Sequence, residues 1–237
     1  MREMSDIRKE FLTVSILREI PFIVHGFGTK HWAESDIERK PELAHFKRLS
    51  LKQIHSDIVR VIRATPDRLL EGDAMITDQP GILLIIKTAD CLPVFVADTE
   101  RKTIAAVHCG WMGTKKRVLQ KTVETMKSIF RSNPESMRVA MGPCIASCCY
   151  EVGEDVLSEF VKTGFPREVF QNHPKRKNKY LLDLDKANRI QLTELGVRKE
   201  NIVAIDLCTH CDNNLLSYRR DRKTAQRLLN FIGMIFN

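Results

Sequence analysis

The sequence lacks long apolar runs. Its uninterrupted apolar stretches reach only about half a dozen residues, whereas a helix that spans a bilayer needs roughly 20. The first ten residues, Met1–Glu10, are charged and contain no apolar core of the kind that a secretory signal requires. We therefore expect a cytoplasmic protein that does not interact with membranes.

Internal repeats, low-complexity segments and linkers rich in proline, glycine and serine are also lacking. With 237 residues, of which 43% are hydrophobic, the chain can bury an ordinary globular core. No shift in composition marks a boundary between two smaller domains. We therefore predict one domain over residues 1–237.

Several motifs that define common enzyme classes are missing. There is no P-loop, no complete Gly-x-Gly-x-x-Gly fingerprint and no Gly-x-Ser-x-Gly nucleophile elbow. The paired zinc motif of nucleobase deaminases is absent. No His-x-His pair occurs, which argues against the clustered copper centres of a multicopper oxidase.

Positive charge is in excess but is not concentrated. The net charge is +8, from 38 basic and 30 acidic residues. The one dense basic run, at 175–179, lies in a predicted loop and is not accompanied by an RNA-binding aromatic signature or by zinc-finger spacing. We expect a mild positive field that attracts small anions, and no nucleic-acid binding.

Short apolar segments alternate with segments of helical spacing. Predicted strands cover 20–29, 57–63, 82–86, 94–97, 104–107, 138–141 and 202–207, and predicted helices cover 114–130, 154–161, 183–195 and 221–235. Several strands follow one another directly, without strict βαβ alternation. This order favours an α+β layered domain over a doubly wound sheet.

Side chains that can bind a metal end two of these predicted strands. Asp90 and Cys91 lie just beyond one strand, and His108 ends another. Polar residues in such places often face a cleft. Together with His55, Cys91 and His108 offer two imidazoles and one thiolate, a set that suits zinc and leaves a fourth position open for water or substrate.

Cys91 has a second interpretation. Beside His108, its thiol could be the nucleophile of a cysteine hydrolase without a catalytic metal. In a strand, the side chain of Asp90 would point to the opposite face, so we interpret Asp90 as a support for neighbouring loops rather than as a third catalytic member. A buried thiol and two ordinary histidines are the structural alternative to both.

The remaining cysteines concentrate in two segments. Seven cysteines in a chain without a recognisable signal indicate reduced thiols. Cys144, Cys148 and Cys149 with Cys208 and Cys211 could hold a structural zinc ion, but adjacent cysteines rarely both ligate one ion, so simple packing near a turn is favoured. A redox- or metal-responsive interaction protein that uses these thiols is a third functional class.

Three cations are candidates for anion binding. Arg219 and Arg220 precede the predicted final helix, where they could hold a phosphate or a carboxylate. Lys30 lies beside a glycine-containing turn and is a similar candidate. The alternative is a solvated helix start whose arginines pair with acids.

Seven motifs occur in one order along the chain. They are Gln53-Ile54-His55, Gly72-Asp73-Ala74, Thr88-Ala89-Asp90-Cys91-Leu92-Pro93, His108-Cys109-Gly110-Trp111, Gly142-Pro143-Cys144-Ile145, Cys149-Tyr150-Glu151-Val152-Gly153 and Ser217-Tyr218-Arg219-Arg220. Together they resemble the bacterial purine nucleoside phosphorylase family long described as multicopper polyphenol oxidases or laccase-domain proteins. The resemblance extends from about His25 to Asp221.

The resemblance implies a single α/β/β/α-layered domain, distantly similar to the cysteine hydrolase-like catalytic domains of deamidating toxins. It implies one zinc ion at His55, Cys91 and His108, a donor set for which copper would compete. It implies phosphorolysis of adenosine, inosine and methylthioadenosine, with adenosine deamination as a further activity. We expect purine nucleosides and phosphate as partners, and a monomer or a homodimer.

For phosphate or substrate contact the candidates are Lys30, Asp90, Arg219 and Arg220. The alternative function is that of a Cys–His amidohydrolase or a cell-wall-precursor editing enzyme. A copper-dependent polyphenol oxidase is disfavoured, because the chain lacks ligands for several coppers.

The chain departs from the family pattern at two positions near the site. The family usually reads His-Ala-Gly-Trp-Arg-Gly, and here Cys109 and Met112 replace the alanine and the arginine. Losing that arginine removes a fixed cation, so we expect substrate preference to differ here.

Overall fold

A computed structural model describes residues 10–222 and 225–236, which form strands and short helices arranged in layers. The strands are β1 (Phe11–Leu12), β2 (Ile23–Gly28), β3 (Lys47–Ser50), β4 (Val59–Val61), β5 (Ala74–Thr77), β6 (Ile82–Thr88), β7 (Leu92–Asp98), β8 (Thr103–Cys109), β9 (Arg138–Met141), β10 (Glu151–Gly153), β11 (Phe170–Asn172), β12 (Lys179–Leu182), β13 (Ile202–Ala204) and β14 (Leu228–Met234). The helices are α1 (Ser15–Arg18), α2 (Glu34–Arg39), α3 (Pro41–Ala44), α4 (Trp111–Lys115), α5 (Val118–Phe130), α6 (Glu154–Lys162) and α7 (Leu184–Glu194). Within the described ranges, no helix has both the length and the apolar character needed to cross a membrane.

Two large sheets pack face to face. One has the strand order β1-β2-β14-β6-β3 and the other β13-β9-β7-β8-β5-β4. Apolar side chains from both sheets fill the space between them, and the ring of Phe27 stacks on that of Phe95 with centroids 4.6 Å apart. Burying each such ring contributes roughly 1.5–3 kcal/mol. Gly142 is needed beside this stack, because a Cβ there would overlap the ring of Phe27.

The outer faces of the two sheets are covered by helices. Side chains of β6 and β14 that point away from the inner core pack on Trp32 and on α2 and α3. The outer face of the other sheet packs on α5 and α7. A third, smaller sheet of order β10-β12-β11 packs against α6. The predicted α+β class is therefore confirmed, with several sheets.

Most predicted elements have counterparts near their expected bounds. The four strands predicted at 82–86, 94–97, 104–107 and 138–141 correspond to β6, β7, β8 and β9, and the helix predicted at 183–195 corresponds to α7. Asp183 is its N-cap and accepts a 2.8 Å hydrogen bond from the N–H of Lys186. The strands predicted at 57–63 and 202–207 are shorter, as β4 and β13.

The helix predicted at 114–130 is two helices, α4 and α5. They meet at Arg117, which has the left-handed φ of 65° and so interrupts the helical path. Its guanidinium donates hydrogen bonds to the carboxylate of Glu194 at 2.9 Å and to the carbonyl of Thr163 at 3.1 Å. These contacts hold the break against neighbouring elements.

The predicted helix over 221–235 is wrong. Its apolar part is strand β14, which lies between β2 and β6, and Lys223 and Thr224 fall outside the described residues. Every residue of β14 is buried. A central strand that is covered on both faces is apolar throughout and therefore lacks the alternation of apolar and polar residues that identifies a half-buried strand. Asn230 donates to Oγ1 of Thr88 at 3.0 Å within the sheet.

Candidate metal centre

The hairpin of β7 and β8 brings Cys91 beside His108. Its antiparallel register pairs Pro93 with His108 and Leu92 with Cys109. Cys91 directly precedes β7, so it lies at the end of the hairpin where β8 ends. The 17-residue gap between the two candidate ligands is therefore closed by the pairing of two strands.

His55 reaches the same place from the segment between β3 and β4. Its φ is 55°, in the left-handed region, and its Nε2 lies 3.8 Å from Sγ of Cys91. The candidate ligand atoms of His55, Cys91 and His108 all lie within 4.8 Å of one another. Tetrahedral zinc with one nitrogen and one sulfur ligand separates them by roughly 3.6 Å, so the spacing fits such an ion.

Asp73 holds both histidines in place. Its fully buried carboxylate accepts a 2.8 Å hydrogen bond from Nδ1 of His108 and bonds from the N–H groups of Ile54, His55 and Ser56. Burial would raise the pKa of Asp73, but the bonds from His108 and Ser56 overcome it and lower the pKa to about 2. The carboxylate is thus ionised, Nδ1 of His108 carries a proton, and Nε2 is left to face Cys91. Carboxylates commonly orient metal-binding histidines in this way.

Sequence analysis alone assigns no role to Asp73. One feature of the sequence could have identified this residue: Asp73 lies between a glycine and the buried strand β5. A charge in such a place is costly unless it is hydrogen-bonded.

Cys91 and His108 form a charged pair in the absence of metal. Burial would raise the pKa of Cys91, yet the His108 cation and bonds from His108 and His55 lower it to about 6. Burial would lower the pKa of His108, but the Cys91 thiolate and the Asp73 carboxylate raise it to about 9. The thiol is therefore poised as a thiolate, the form that binds metals and attacks electrophiles.

Gly110 leaves the space in which the ligands converge. A Cβ at this position would lie 2.9 Å from Sγ of Cys91 and 3.0 Å from Cδ2 of His55. Both distances are too short for ordinary contact, so the close approach of the backbone requires glycine here.

The three candidate ligands line a cavity of about 650 Å³. Its walls carry aromatic rings and cations, and its lining comprises Leu51, Gln53, His55, Lys87, Thr88, Ala89, Asp90, Cys91, His108, Trp111, Ile145, Tyr150, Tyr218, Arg219 and Arg227. This volume is typical of sites for small organic ligands.

Asp90 lies in this wall and supports it. It sits in the turn between β6 and β7 with φ 86°, not in a strand, so the expectation of alternating faces does not apply to it. Its carboxylate accepts hydrogen bonds from Oγ1 of Thr209 and from the N–H of Arg219, both at 2.7 Å.

Of the three predicted cations, Arg219 lines the cavity. Its guanidinium lies 5.5 Å from the ring centroid of Tyr150 and donates to the carbonyl of Glu151 at 3.1 Å. Arg220 lies outside the lining and pairs with Asp221. Lys30 is also outside it, and its Nζ donates to the carbonyl of Asn213 at 2.6 Å.

The two departures from the family pattern lie beside the candidate ligands. Cys109 is fully buried, and burial raises the pKa of its thiol well above the usual value. Met112 is half-buried in the first turn of α4. Neither residue belongs to the metal-capable groups among the described residues.

Comparison with known proteins gives one consistent family. The family model described as multi-copper polyphenol oxidoreductase laccase matches residues 34–235. A protein of Clostridium acetobutylicum named purine nucleoside phosphorylase is 40% identical over 184 residues, covering 77% of this chain and 75% of its own. The Escherichia coli protein named purine nucleoside phosphorylase YfiH is 35% identical over 187 residues, covering 78% and 73%.

Solved structures agree with this assignment. The crystal structure of YlmD from Geobacillus stearothermophilus aligns with a TM-score of 0.84 at 26% identity, covering 96% of this chain and 99% of the other. That of a Bacillus licheniformis hypothetical protein YfiH gives 0.82 at 25% identity, with coverage of 90% and 92%. As the seven motifs predicted, the chain belongs to the family described as multi-copper polyphenol oxidoreductase laccase, which includes relatives named purine nucleoside phosphorylase.

Proposed function

We propose that this chain is a zinc-dependent purine nucleoside phosphorylase acting on adenosine, inosine and methylthioadenosine. The observation that carries the proposal is the convergence of His55, Cys91 and His108 in a cavity of about 650 Å³. The names of the relatives support the reaction class. The proposal includes one domain over residues 1–237. It also includes a likeness to cysteine hydrolase-like toxin domains, which is supported by the packing of helices on the outer faces of the two sheets.

The donor set supports zinc. Two imidazoles and one thiolate are three donors of the kinds that catalytic zinc sites use, and all three residues line the cavity. When bound, the ion would supply a Lewis acid to the substrate. The chain's own part is to hold the donors: Asp73 fixes the ring of His108 and the backbone at His55, and Gly110 admits the close approach.

The cavity walls suit a purine nucleoside. Trp111 and Tyr150 present flat apolar rings against which a base can stack, while the sugar would face the candidate ligands. Arg219 adds a cation to the same lining, which also includes Lys87, whose ammonium lies 3.3 Å from a carboxylate oxygen of Glu34. The cavity therefore offers aromatic rings for a neutral base and a cation for phosphate.

In phosphorolysis, a phosphate oxygen forms a bond to the anomeric carbon of the ribose as the bond to the purine nitrogen breaks. The base leaves with the bonding electrons and takes up a proton. We assign the phosphate contact to Arg219, because a fixed guanidinium stabilises an anion in the transition state. Lys30 and Arg220 have weaker support, since both lie outside the cavity lining. Asp90 is assigned the positioning of Arg219 through its N–H.

Adenosine deamination is the second activity that we propose. Water would replace the amino group of the purine ring and release ammonia, a hydrolysis that a Lewis acid can assist. The same cavity would serve both reactions.

The decisive experiment follows the dependence on phosphate. Zinc-loaded protein should release hypoxanthine from inosine only when phosphate is added, with an equal amount of ribose 1-phosphate. Release without phosphate, or no release, would overturn the proposal. Adenosine should give inosine and ammonia in the same preparation without phosphate.

A Cys–His amidohydrolase is the second candidate, because Cys91, His108 and Asp73 lie in the order of a thiol, a base and an orienting acid. One equivalent of zinc that native protein contains and His55→Ala loses would exclude it. A copper-dependent polyphenol oxidase has less support, since only one of the metal-capable groups found among residues 10–222 and 225–236 contains histidine.

A further inference from the structure

Four cysteines form a second group of converging ligands. We name Cys148, Cys149, Cys208 and Cys211 the thiol cluster; their sulfur atoms all lie within 4.8 Å of one another. None of the four lines the cavity that holds His55. The free thiols Cys109 and Cys144 are buried and lie outside the cluster.

Two turns bring these thiols together. Cys148 and Cys149 lie in a turn that is closed by a 2.9 Å bond from the N–H of Cys149 to the carbonyl of Ala146. The bend directs adjacent side chains to one side, which an extended chain would not do. This is why the sequence-based objection to adjacent ligands does not hold here.

The second turn supplies the Cys-x-x-Cys spacing of a zinc knuckle. In it, the N–H of Cys211 donates to the carbonyl of Cys208 at 3.1 Å. The two turns are joined by a parallel bridge between Cys144 and Cys208, and the N–H of Thr209 donates to the carbonyl of Cys144 at 3.0 Å. The cluster is thus held by backbone pairing and not by chance contact of side chains.

The sulfur–sulfur distances select one kind of occupant. They are 3.6 Å between Cys148 and Cys149, 3.9 Å between Cys148 and Cys211, and 3.3 Å between Cys149 and Cys211. A tetrahedral ion with metal–sulfur bonds of about 2.3 Å separates its ligand sulfurs by roughly 3.8 Å. A disulfide requires about 2.05 Å. An iron–sulfur cluster distributes its four thiolates over two or four irons, so as a set they are spread further apart than around one ion.

We infer that the thiol cluster is a structural zinc site of the four-cysteine type, separate from the candidate catalytic centre. Binding would form four sulfur–metal bonds and release to solvent the protons that the thiols carry. Cys148 and Cys211 are exposed, which gives the ion a path of entry. The inference does not depend on the reaction proposed above.

The surroundings suit the negative charge of such a site. The N–H of Ala146 points at Sγ of Cys208 over 3.4 Å, a contact that favours a thiolate. The guanidinium of Arg220, which also pairs with Asp221, donates to the carbonyls of Thr209 at 2.8 Å, His210 at 3.2 Å and Asp212 at 3.1 Å, and so holds the second turn in shape. This accounts for an arginine that the candidate catalytic cavity does not use.

A zinc ion here would fasten two parts of the cavity wall. The first turn is preceded by Ile145, whose N–H donates to the carbonyl of Asp90 at 2.9 Å. The second turn carries Thr209, whose hydroxyl donates to the carboxylate of Asp90 at 2.7 Å. Asp90 adjoins Cys91, so the ion would hold the segments that brace one catalytic ligand.

Metal content of the full-length protein tests the inference. Protein purified in reducing buffer with zinc should contain two equivalents of zinc, one at the candidate catalytic centre and one at the thiol cluster. Cys211→Ser should lose that equivalent and keep the other, whereas His55→Ala should retain the equivalent at the cluster. Cys144→Ala is the matched control, because its thiol lies beside the cluster but outside it, and it should keep both.

Cobalt substitution gives a second readout that does not require activity. In His55→Ala protein, cobalt should produce the intense sulfur-to-metal absorption of a tetrathiolate site, and Cys211→Ser introduced into that background should abolish it. A zinc content unchanged by Cys211→Ser, or a Cys149–Cys211 disulfide in freshly purified protein in place of the metal, would overturn the inference. Failure of the phosphorolysis assay would leave both readouts unaffected.

Discussion

Nδ1 of His108 lies 2.8 Å from Oδ1 of Asp73, and both side chains are buried. The same carboxylate accepts the N–H of His55 at 3.1 Å, so one acid orients two of the three candidate ligands. Asp73 does not line the cavity, and its role is therefore one of positioning.

Asp73→Asn should weaken zinc binding without removing a ligand. The amide keeps an oxygen for some of these bonds but loses the charge that stabilises the His108 N–H. Loss of such an orienting partner typically costs 10–100-fold in metal affinity, and we expect a decrease of about that size. Competition with a chromophoric chelator measures it.

Asp98→Asn is the matched control. Asp98 is also buried, at the far end of β7, and accepts the N–H of Glu100 and of Arg101. The zinc affinity of the Asp98→Asn variant should equal that of the wild type. Equal losses in both variants would mean that general destabilisation, and not orientation of His108, explains the effect.

Cys91 and His108 could be predicted because the ends of their strands are recognisable from apolar runs, whereas His55 was added from its motif and lies outside any strand. The sequence could not reveal Asp73, because the bonds that make its burial tolerable come from residues 17 to 35 positions away. The buried strand β14 was mistaken for a helix, since a short apolar run has no period that separates the two. Convergence of the thiol cluster depends on a bridge between Cys144 and Cys208, which local spacing does not encode.

The thiol of Cys91 should be unusually reactive in metal-stripped protein. Its pKa of about 6 leaves most of it as thiolate at pH 7, whereas burial and neighbouring thiols raise the pKa of Cys148 to about 11. Alkylation of Cys91, followed by peptide mass spectrometry, should therefore rise with a midpoint near pH 6. Zinc should suppress it.

Cys148 provides the internal comparison in the same digest. It should react slowly at pH 7 in the stripped protein and faster only in alkaline solution. A Cys91 profile that rises only above the usual thiol range would show that the His108 cation does not stabilise the thiolate.

Arg219→Ala should raise the KM for phosphate. Removing one charge-assisted hydrogen bond costs about 1.5–3 kcal/mol, which corresponds to roughly a tenfold to hundredfold increase. Lys30→Ala removes another exposed cation, one outside the cavity lining, and should leave this KM unchanged. Initial rates of inosine cleavage at varied phosphate concentration give the KM of each variant. A raised KM in Lys30→Ala and an unchanged KM in Arg219→Ala would assign the phosphate contact to Lys30 instead.

Stability should fall in mild acid because of His25. This side chain is buried in β2, and its Nε2 accepts the N–H of Val14 at 3.0 Å, so the ring is neutral. Burial, aided by the charge of Arg18, lowers its pKa from the usual 6.5 to about 4. Between these values the unfolded chain binds a proton that the native protein does not, so stability decreases as the pH falls. The expected loss between pH 7 and pH 4.5 is about 2.5 kcal/mol.

His25→Gln separates this effect from other acid-sensitive groups. The glutamine carbonyl can accept the same N–H, but it does not titrate, so the variant should lose about 2.5 kcal/mol less than the wild type over this range. Urea unfolding of metal-stripped wild type and variant at both pH values measures these losses. Stripping the metal is needed because zinc release would otherwise contribute to the free energy of unfolding of both proteins. Equal losses in the two proteins would mean that His25 already carries a proton in the native state, which its bond from Val14 argues against.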